Sequence, residues 1–538
     1  MKAKNLIPYN KLNLGFADAE NYKKKENKKL LDKFFIKTGE IDNIINHNTY
    51  FLIGDKGTGK TAYSVYLSNN DYRGTSSYIN YIRETEYTKF IQLKKTKNLT
   101  LTEYTSIWKV LIYVLISQKI MHREKDSFFS IYSKYAPLKE AIDAFYSNAF
   151  SPEIINAISF VEESKLAAEL IYKAFKIKDE DKITKTFSNE RFQTNLLYIQ
   201  QKFELALASI KLQFNHILFI DGIDIRPRNI EYEDYLECIK GLANAAWTVN
   251  TDFFSNIKDS RGRMKVMLLV RPDIFSHLGL QNLNTKIRDN SVLLDWKTTY
   301  PVFLSSSIFR MSDNLLSSQQ IFNYDECECW NFYFPFEAIV NGSYEHSFVS
   351  FLRFSMFRPR DIVTMMKMIQ EKFGDKDIYE IKLEDFDDLE FRKRYSDYLL
   401  GEIKDYLAFY HSDKDYELFL KFFEYLNGKA SFSYDEFYAS YDDFATYIEK
   451  NEIDTPKFFD SSDSFLQFLY DLNILCYIED TEEFGTHIHW SFRERTYSNI
   501  NPKVKEGVRY SIHYGLQKAL NTGRPLKRRL IKKNKRKM

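Results

Sequence analysis

The chain has 538 residues, of which 44% are hydrophobic and 28% are charged, and its formal net charge is +2. This length predicts about two to four domains with packed cores, and the near-neutral charge does not select a partner. Four scattered cysteines are too few for a disulfide framework, and no apolar segment resembles a signal peptide or is long enough to span a membrane. We therefore expect a soluble protein of the reducing cytoplasm that has no membrane partner.

The first segments in chain order predict a helix and then a sheet. Residues 1–48 are polar with helical apolar spacing, and they form a predicted N-terminal helical segment. Apolar runs at 50–53 and 76–82 predict buried strands, and the first of them ends at Gly54.

Helical spacing then dominates residues 85–213, which predict a large helical insertion. Further apolar runs at 216–221, 265–270 and 291–296 are typical of parallel strands. The fold class predicted for residues 49–300 is α/β, with a parallel sheet at its core.

Residues 54–61 read Gly-Asp-Lys-Gly-Thr-Gly-Lys-Thr and match the phosphate-binding pattern G-x-x-x-x-G-K-[ST]. We call these residues the glycine loop. The glycines let backbone N–H groups turn inward around phosphates, and the helix that follows directs its positive end at the anion. Lys60 is predicted to bridge the β- and γ-phosphates, and Thr61 to bind Mg²⁺. The predicted nucleotide contacts are Gly54, Asp55, Lys56, Gly57, Thr58, Gly59, Lys60, Thr61 and Ala62.

Asp221 ends the run 216–221. A carboxylate at the tip of a buried strand next to the strand of the glycine loop predicts a second Mg²⁺ ligand. Asp224 follows three residues later and could either polarise the attacking water or cap the next turn. Gly222 replaces the glutamate that often follows the metal carboxylate, and this replacement argues against fast hydrolysis.

Four arginines are candidates for sensing the γ-phosphate, and each could instead be an ordinary salt-bridge residue. Arg271 directly follows the run 265–270. Arg288 precedes the run 291–296 and could complete the site of a neighbouring subunit in a homo-oligomer. Arg358 and Arg360 lie around Pro359, a proline typical of the first position of a helix.

The second half of the chain predicts mostly helices. Strand signals stop after about residue 300, and residues 301–395 predict a helical lid. Residues 398–515 carry three helical patterns followed by two short strand patterns, at 474–478 and 487–492, which is the order of a winged helix. Ser433 and Glu436 form a predicted capping box. Residues 516–538 form a basic tail.

The motifs together resemble those of AAA+-related ATPases of the STAND type. Four segments occur in the same order: 54–61, 217–224 with its Asp-Gly-Ile-Asp, 270–275 and 358–361. More narrowly, the chain resembles a family of bacterial P-loop ATPases in which a short helical segment precedes the glycine loop, and this resemblance covers about residues 12–85 and 214–372. It implies an ATP-driven switch with a lid and a winged helix, associated with regulation or with defence against phage.

Charge distribution gives opposite indications about nucleic acid. Residues 523–538 carry nine basic side chains and no acidic one, which predicts non-specific contact with phosphate backbones or a merely solubilising tail. Residues 401–480 carry 18 acidic and 6 basic side chains, so this module is expected to bind protein. Its aromatic residues are predicted to be core residues: Phe422, Phe423, Tyr434, Phe437 and Phe444.

The leading interpretation is a Mg²⁺-dependent ATPase that uses ATP as a conformational or assembly switch. One alternative is a DNA-associated AAA+-type motor or loader, and another is a non-catalytic nucleotide-binding scaffold. ATP is preferred over GTP because the sequence contains no Asn-Lys-x-Asp motif.

Overall fold

The computed structural model describes residues 6–82, 101–123, 136–148, 189–227, 230–340, 343–481 and 485–523. The predicted insertion is therefore described only in part, and the basic tail lies outside the described residues from position 524 onward. The chain forms two compact units: the sheet unit, Gly15–Trp296, and the helical unit, Met1–Leu14 with Lys297–Met538. None of the described helices combines the length and the apolar composition needed to cross a bilayer.

A five-stranded parallel sheet forms the centre of the sheet unit, which confirms the predicted α/β class. Its strands are β1 Phe51–Ile53, β2 Thr75–Tyr81, β3 Asn215–Asp221, β4 Met264–Val270 and β5 Ser291–Leu293. The spatial order is β2-β3-β4-β1-β5. All seven residues of β4 are buried, as expected for an apolar run at the centre of a parallel sheet.

One sequence prediction about this sheet is wrong. We expected the strand that ends at Asp221 to lie beside the strand of the glycine loop, but β4 lies between β3 and β1 and pairs with both. Several buried apolar runs of similar composition carry no information about their order across a sheet, so the adjacency could not be derived from the sequence.

Helices cover both faces of this sheet. Those of the sheet unit are Lys28–Phe34, Gly39–Ile45, Lys60–Asn69, Leu101–Arg123, Ala136–Asn148, Asn189–Ser209, Tyr232–Thr248, Pro272–His277 and Leu283–Asn290. The helix predicted directly after the glycine loop is confirmed, and so are the described helical parts of the insertion.

The helices that follow β1 and β4 leave the sheet on opposite faces. Leu52 of β1 belongs to the same core cluster as Tyr63 and Leu67 of helix Lys60–Asn69. Phe51 points to the other face and packs edge-on against Phe275 of helix Pro272–His277, with ring centroids 5.0 Å apart. Parallel α/β sheets bind ligands outside the carboxyl ends of their strands, where connections diverge in this way. The carboxyl ends of β1 and β4 are therefore the place where a ligand site is expected in this fold.

The helical unit is built mainly from helices, with two small antiparallel sheets. Its helices are Ser307–Ser317, Glu328–Tyr333, Ser347–Phe354, Pro359–Phe373, Leu383–Phe386, Leu389–Tyr410, Asp413–Tyr425, Tyr434–Lys450, Ser462–Asp471 and Ser491–Glu494. Its strands are β6 Glu337–Val340, β7 Ser343–His346, β8 Ser431–Ser433, β9 Leu475–Thr481, β10 Gly485–His489 and β11 Arg509–Ile512. The expectation of helices alone between about residues 300 and 395 is wrong, because β6 and β7 lie in this range. Strands of four residues are too short to show a clear alternation in the sequence.

The three helices and the hairpin predicted for the C-terminal module are present. β8 and β11 extend the β9–β10 hairpin into a sheet of order β10-β9-β11-β8. The second predicted strand ends early: β10 stops at His489, and helix Ser491–Glu494 begins two residues later. The module has no boundary near residue 398, because helix Leu389–Tyr410 runs through that position.

Local signals in this module agree with its structure. The Ser433 hydroxyl accepts a hydrogen bond from the Glu436 N–H, and the Glu436 carboxylate accepts one from the Ser433 N–H, so the predicted capping box is confirmed. Phe422, Phe437 and Phe444 are fully buried, and Phe423 is 5% exposed. Tyr434 differs: it is only half-buried, and its hydroxyl donates to Asp463.

Candidate phosphate-binding site

The glycine loop has a conformation that requires its glycines. Gly57 and Gly59 have φ of 89° and 96°, in the left-handed region that residues with a side chain rarely adopt. A Cβ on Gly54 would lie 2.4 Å from the Thr58 hydroxyl, which donates to the Asp55 carbonyl. The pattern thus specifies a tight turn at the carboxyl end of β1.

Lys60 begins the helix after this turn, as the sequence predicted. Its ammonium donates to the carbonyls of Gly54 and Asp55, at 2.8 and 3.2 Å. Burial lowers the pKa of Lys60, while Asp224, Asp221 and Asp55 act in the opposite direction. A buried cation that folds back over the loop beside a helix N-terminus is suited to binding an anion.

Thr61 and Asp221 are brought together although they are 160 positions apart in the chain. The Thr61 hydroxyl donates to Asp221 Oδ2 at 2.6 Å, and the Gly222 N–H donates to Asp221 Oδ1 at 2.8 Å. Hydroxyl and carboxylate oxygens suit Mg²⁺, which commonly takes only one or two protein ligands beside phosphate oxygens. The two residues therefore fit the predicted metal role.

Asp221 is buried, and burial raises the pKa of its carboxyl above the usual 3.8. The nearby charge of Asp224 raises this pKa further, while Thr61 and Lys60 oppose the shift. Asp224 itself is half-buried and close enough to act electrostatically on Lys60 as well. Two carboxylates and one ammonium thus share the carboxyl edge of the sheet, where a bound divalent cation would relieve the repulsion between the carboxylates.

Gly222 has a structural reason for its identity. Its φ is 90°, and a Cβ at this position would lie 2.2 Å from the carbonyl oxygen of Ile82. The chain cannot carry a glutamate directly after Asp221 without moving the backbone that follows β2. Among the residues of this segment, the carboxylate left to act on water is Asp224.

Replacing Gly222 by alanine should lower the unfolding midpoint by about 3–10 °C, because strained backbone of this kind costs about 1–3 kcal/mol. Gly39→Ala is the matched control in the same unit: its Cβ would meet no atom within 4 Å, and Gly39 is the first residue of a helix. Thermal unfolding of both variants checks this. Equal midpoints would contradict the close approach of Gly222 to Ile82.

Arg271 directly follows β4, at the carboxyl edge of the sheet. Its guanidinium is 2% exposed and makes a bidentate ion pair with Asp273, at 2.7 and 3.1 Å. Its charge contributes to lowering the pKa of Lys60, so it is electrostatically coupled to the glycine loop. The role predicted for Arg271 is compatible with this position, and Asp273 is a partner that sequence reasoning did not identify.

The other three arginines lie in different settings. The Arg288 side chain is exposed and forms no hydrogen bond or ion pair with any residue that the structure describes. Arg358 is buried in a bidentate pair with Asp361, directly before helix Pro359–Phe373, whose predicted start is confirmed. Arg360 pairs with Glu402 at 3.3 Å. Both guanidinium groups are thus already engaged in ion pairs.

The remaining predicted contacts surround the turn: Asp55, Lys56 and Ala62 are half-buried. Sequence reasoning missed one residue here, Trp296, whose indole N–H donates to the Thr58 carbonyl at 2.8 Å. No sequence signal identified it, because a tryptophan after a short strand has no characteristic spacing to the loop.

No protein-family model, curated protein sequence or solved structure matches this chain. The functional assignment therefore depends on the residues and their geometry.

Proposed function

We propose that this protein binds ATP with Mg²⁺ and hydrolyses it slowly as a conformational or assembly switch. The observation that carries the proposal is the 2.6 Å hydrogen bond between Thr61 and Asp221. It joins a loop suited to phosphates with a buried carboxylate suited to a divalent cation. A chance glycine-rich turn has no reason to meet a buried acidic residue from a distant strand.

Nucleotide binding is supported by three features of the same edge. The loop follows β1 at the point where neighbouring connections diverge, the helix N-terminus faces the loop, and Lys60 lies beside the turn. Bound Mg²⁺ would be held by Thr61 and Asp221 and would neutralise phosphate charge. The residues of the chain would position the triphosphate through the loop amides and Lys60.

Slow rather than fast hydrolysis follows from Gly222. Since no side chain fits at position 222, a water molecule would have to be polarised by Asp224, which is displaced by three residues from the metal carboxylate. A long-lived ATP state suits a switch, because binding can hold one conformation until the γ-phosphate is lost.

Turnover by the full chain tests this proposal. We expect Mg²⁺-dependent ATP hydrolysis below about 1 s⁻¹, slower than a typical enzyme. Asp224→Asn should lower it further without weakening ATP binding, if Asp224 acts on water. Binding without any turnover would support the non-catalytic scaffold instead, and strong stimulation by duplex DNA would support the motor or loader.

A further inference from the structure

Trp296 is the last residue of the sheet unit, and it contacts the glycine loop directly. Its indole N–H donates to the Thr58 carbonyl at 2.8 Å, across 238 positions of sequence. Its ring packs against the core cluster that contains Leu52 of β1 and Leu294 after β5. The side chain is thus held by packing on one side and by this hydrogen bond on the other.

The orientation of the Thr58 carbonyl has a consequence for the next residue. No peptide bond among the described residues is cis, and in a planar trans peptide the carbonyl and the following N–H point in opposite directions. Holding the Thr58 carbonyl towards Trp296 therefore directs the Gly59 N–H away from it. The Gly59 N–H is one of the loop amides predicted to bind phosphate.

Thr58 is also held from within the loop. Its N–H and its hydroxyl both donate to the Asp55 carbonyl, at 3.2 and 2.8 Å. These bonds hold the N-terminal side of Thr58, but they do not restrict rotation of the peptide group between Thr58 and Gly59. Gly59, with no side chain and φ of 96°, does little to restrict that rotation. The contact with Trp296 supplies the missing constraint.

We propose that Trp296 is a positioning residue that holds the Gly59 amide in its phosphate-binding orientation. This rests on the proposed function, since it concerns the same loop. The amides of such a loop hold the α- and β-phosphates, so the effect of Trp296 is expected on binding of the diphosphate part that ADP and ATP share. An amide that is already in place binds the nucleotide equally well before and during the reaction.

The test compares Trp296→Phe, which keeps a ring but loses the N–H, with Trp247→Phe. Trp247 is the matched control: it lies in the same unit and packs against Phe51, on the sheet face opposite to Leu52. Trp296→Phe should lower the affinity for ADP and the affinity for ATP by the same factor, about threefold to tenfold, which corresponds to the loss of one hydrogen bond. In turnover assays the change should appear in KM and not in kcat.

Trp247→Phe should bind both nucleotides like the wild type, even where its unfolding midpoint falls. If Trp296 served packing alone, both variants would lose stability and neither would lose affinity selectively; that result would overturn the inference, as would wild-type affinity in Trp296→Phe. The wild-type titration separates the two claims, because failure of the unaltered protein to bind either nucleotide rejects the proposed function itself.

Discussion

Lys60→Met should weaken ATP binding by about 100-fold or more. The ammonium is the one cation of the glycine loop that lies buried against the turn, with hydrogen bonds to the Gly54 and Asp55 carbonyls. On binding it would exchange these acceptors for phosphate oxygens, and charge-assisted hydrogen bonds are worth about 1.5–3 kcal/mol each. Calorimetric titration with a non-hydrolysable ATP analogue measures the loss.

Lys265→Met is the matched control for this substitution. Lys265 is a second wholly buried lysine of the sheet unit, and burial lowers its pKa well below the usual value. Its ammonium donates to the carbonyls of Ile44, Asn46 and Thr49, around the end of helix Gly39–Ile45. Its loss should lower stability by leaving these acceptors unpaired, and should spare nucleotide affinity in the folded protein. If Lys60→Met instead lowered stability and left the affinity for nucleotide unchanged, Lys60 would have a structural role only.

Asp221→Asn should remove the contribution of Mg²⁺ to ATP binding and reduce turnover by about 100-fold or more, the scale of losing a charged group at a reaction centre. Asparagine can still accept from the Gly222 N–H through its one side-chain oxygen, and its amide NH2 can donate to the Thr61 hydroxyl, so the local structure is retained. Titrations with Mg²⁺ and with a chelator should give the same affinity in the variant and different affinities in the wild type. A Mg²⁺ effect that survives in the variant would place the metal elsewhere.

The same substitution should change the pH dependence of stability in the absence of Mg²⁺. Because the pKa of Asp221 is raised in the fold above the usual 3.8, the folded state holds a proton that the unfolded chain has released. The stabilising contribution of this carboxyl is therefore complete below pH 3.8 and is lost as pH rises through the raised value. The free energy of unfolding of Asp221→Asn, relative to wild type, should increase over that interval.

The sequence predicted the features that depend on local chemistry. The glycine spacing in 54–61, the helix start at Lys60, the capping box at Ser433 and the proline before Arg360 each act within a few residues, and each is present in the structure. The buried strands were also predicted, because a short continuous apolar run bounded by turn residues is typical of a strand that is buried on both faces.

Features that depend on tertiary arrangement were not predictable in this way. The position of β4 between β1 and β3, the contact of Trp296 with Thr58, and the ion pair of Arg271 with Asp273 join residues through the packing of the whole unit or through a side-chain rotamer. The need for glycine at position 222 could not be predicted either, because it arises from the close approach of the Ile82 carbonyl oxygen.

A crystal structure of the protein with Mg²⁺ and a non-hydrolysable ATP analogue tests the central claim most directly. We predict phosphate oxygens within hydrogen-bonding distance of the glycine-loop amides and of the Lys60 ammonium, with Mg²⁺ on the Thr61 hydroxyl next to Asp221. A nucleotide bound away from this loop, or a loop whose amides stay turned from it while Lys60 keeps its bonds to Gly54 and Asp55, would contradict the account.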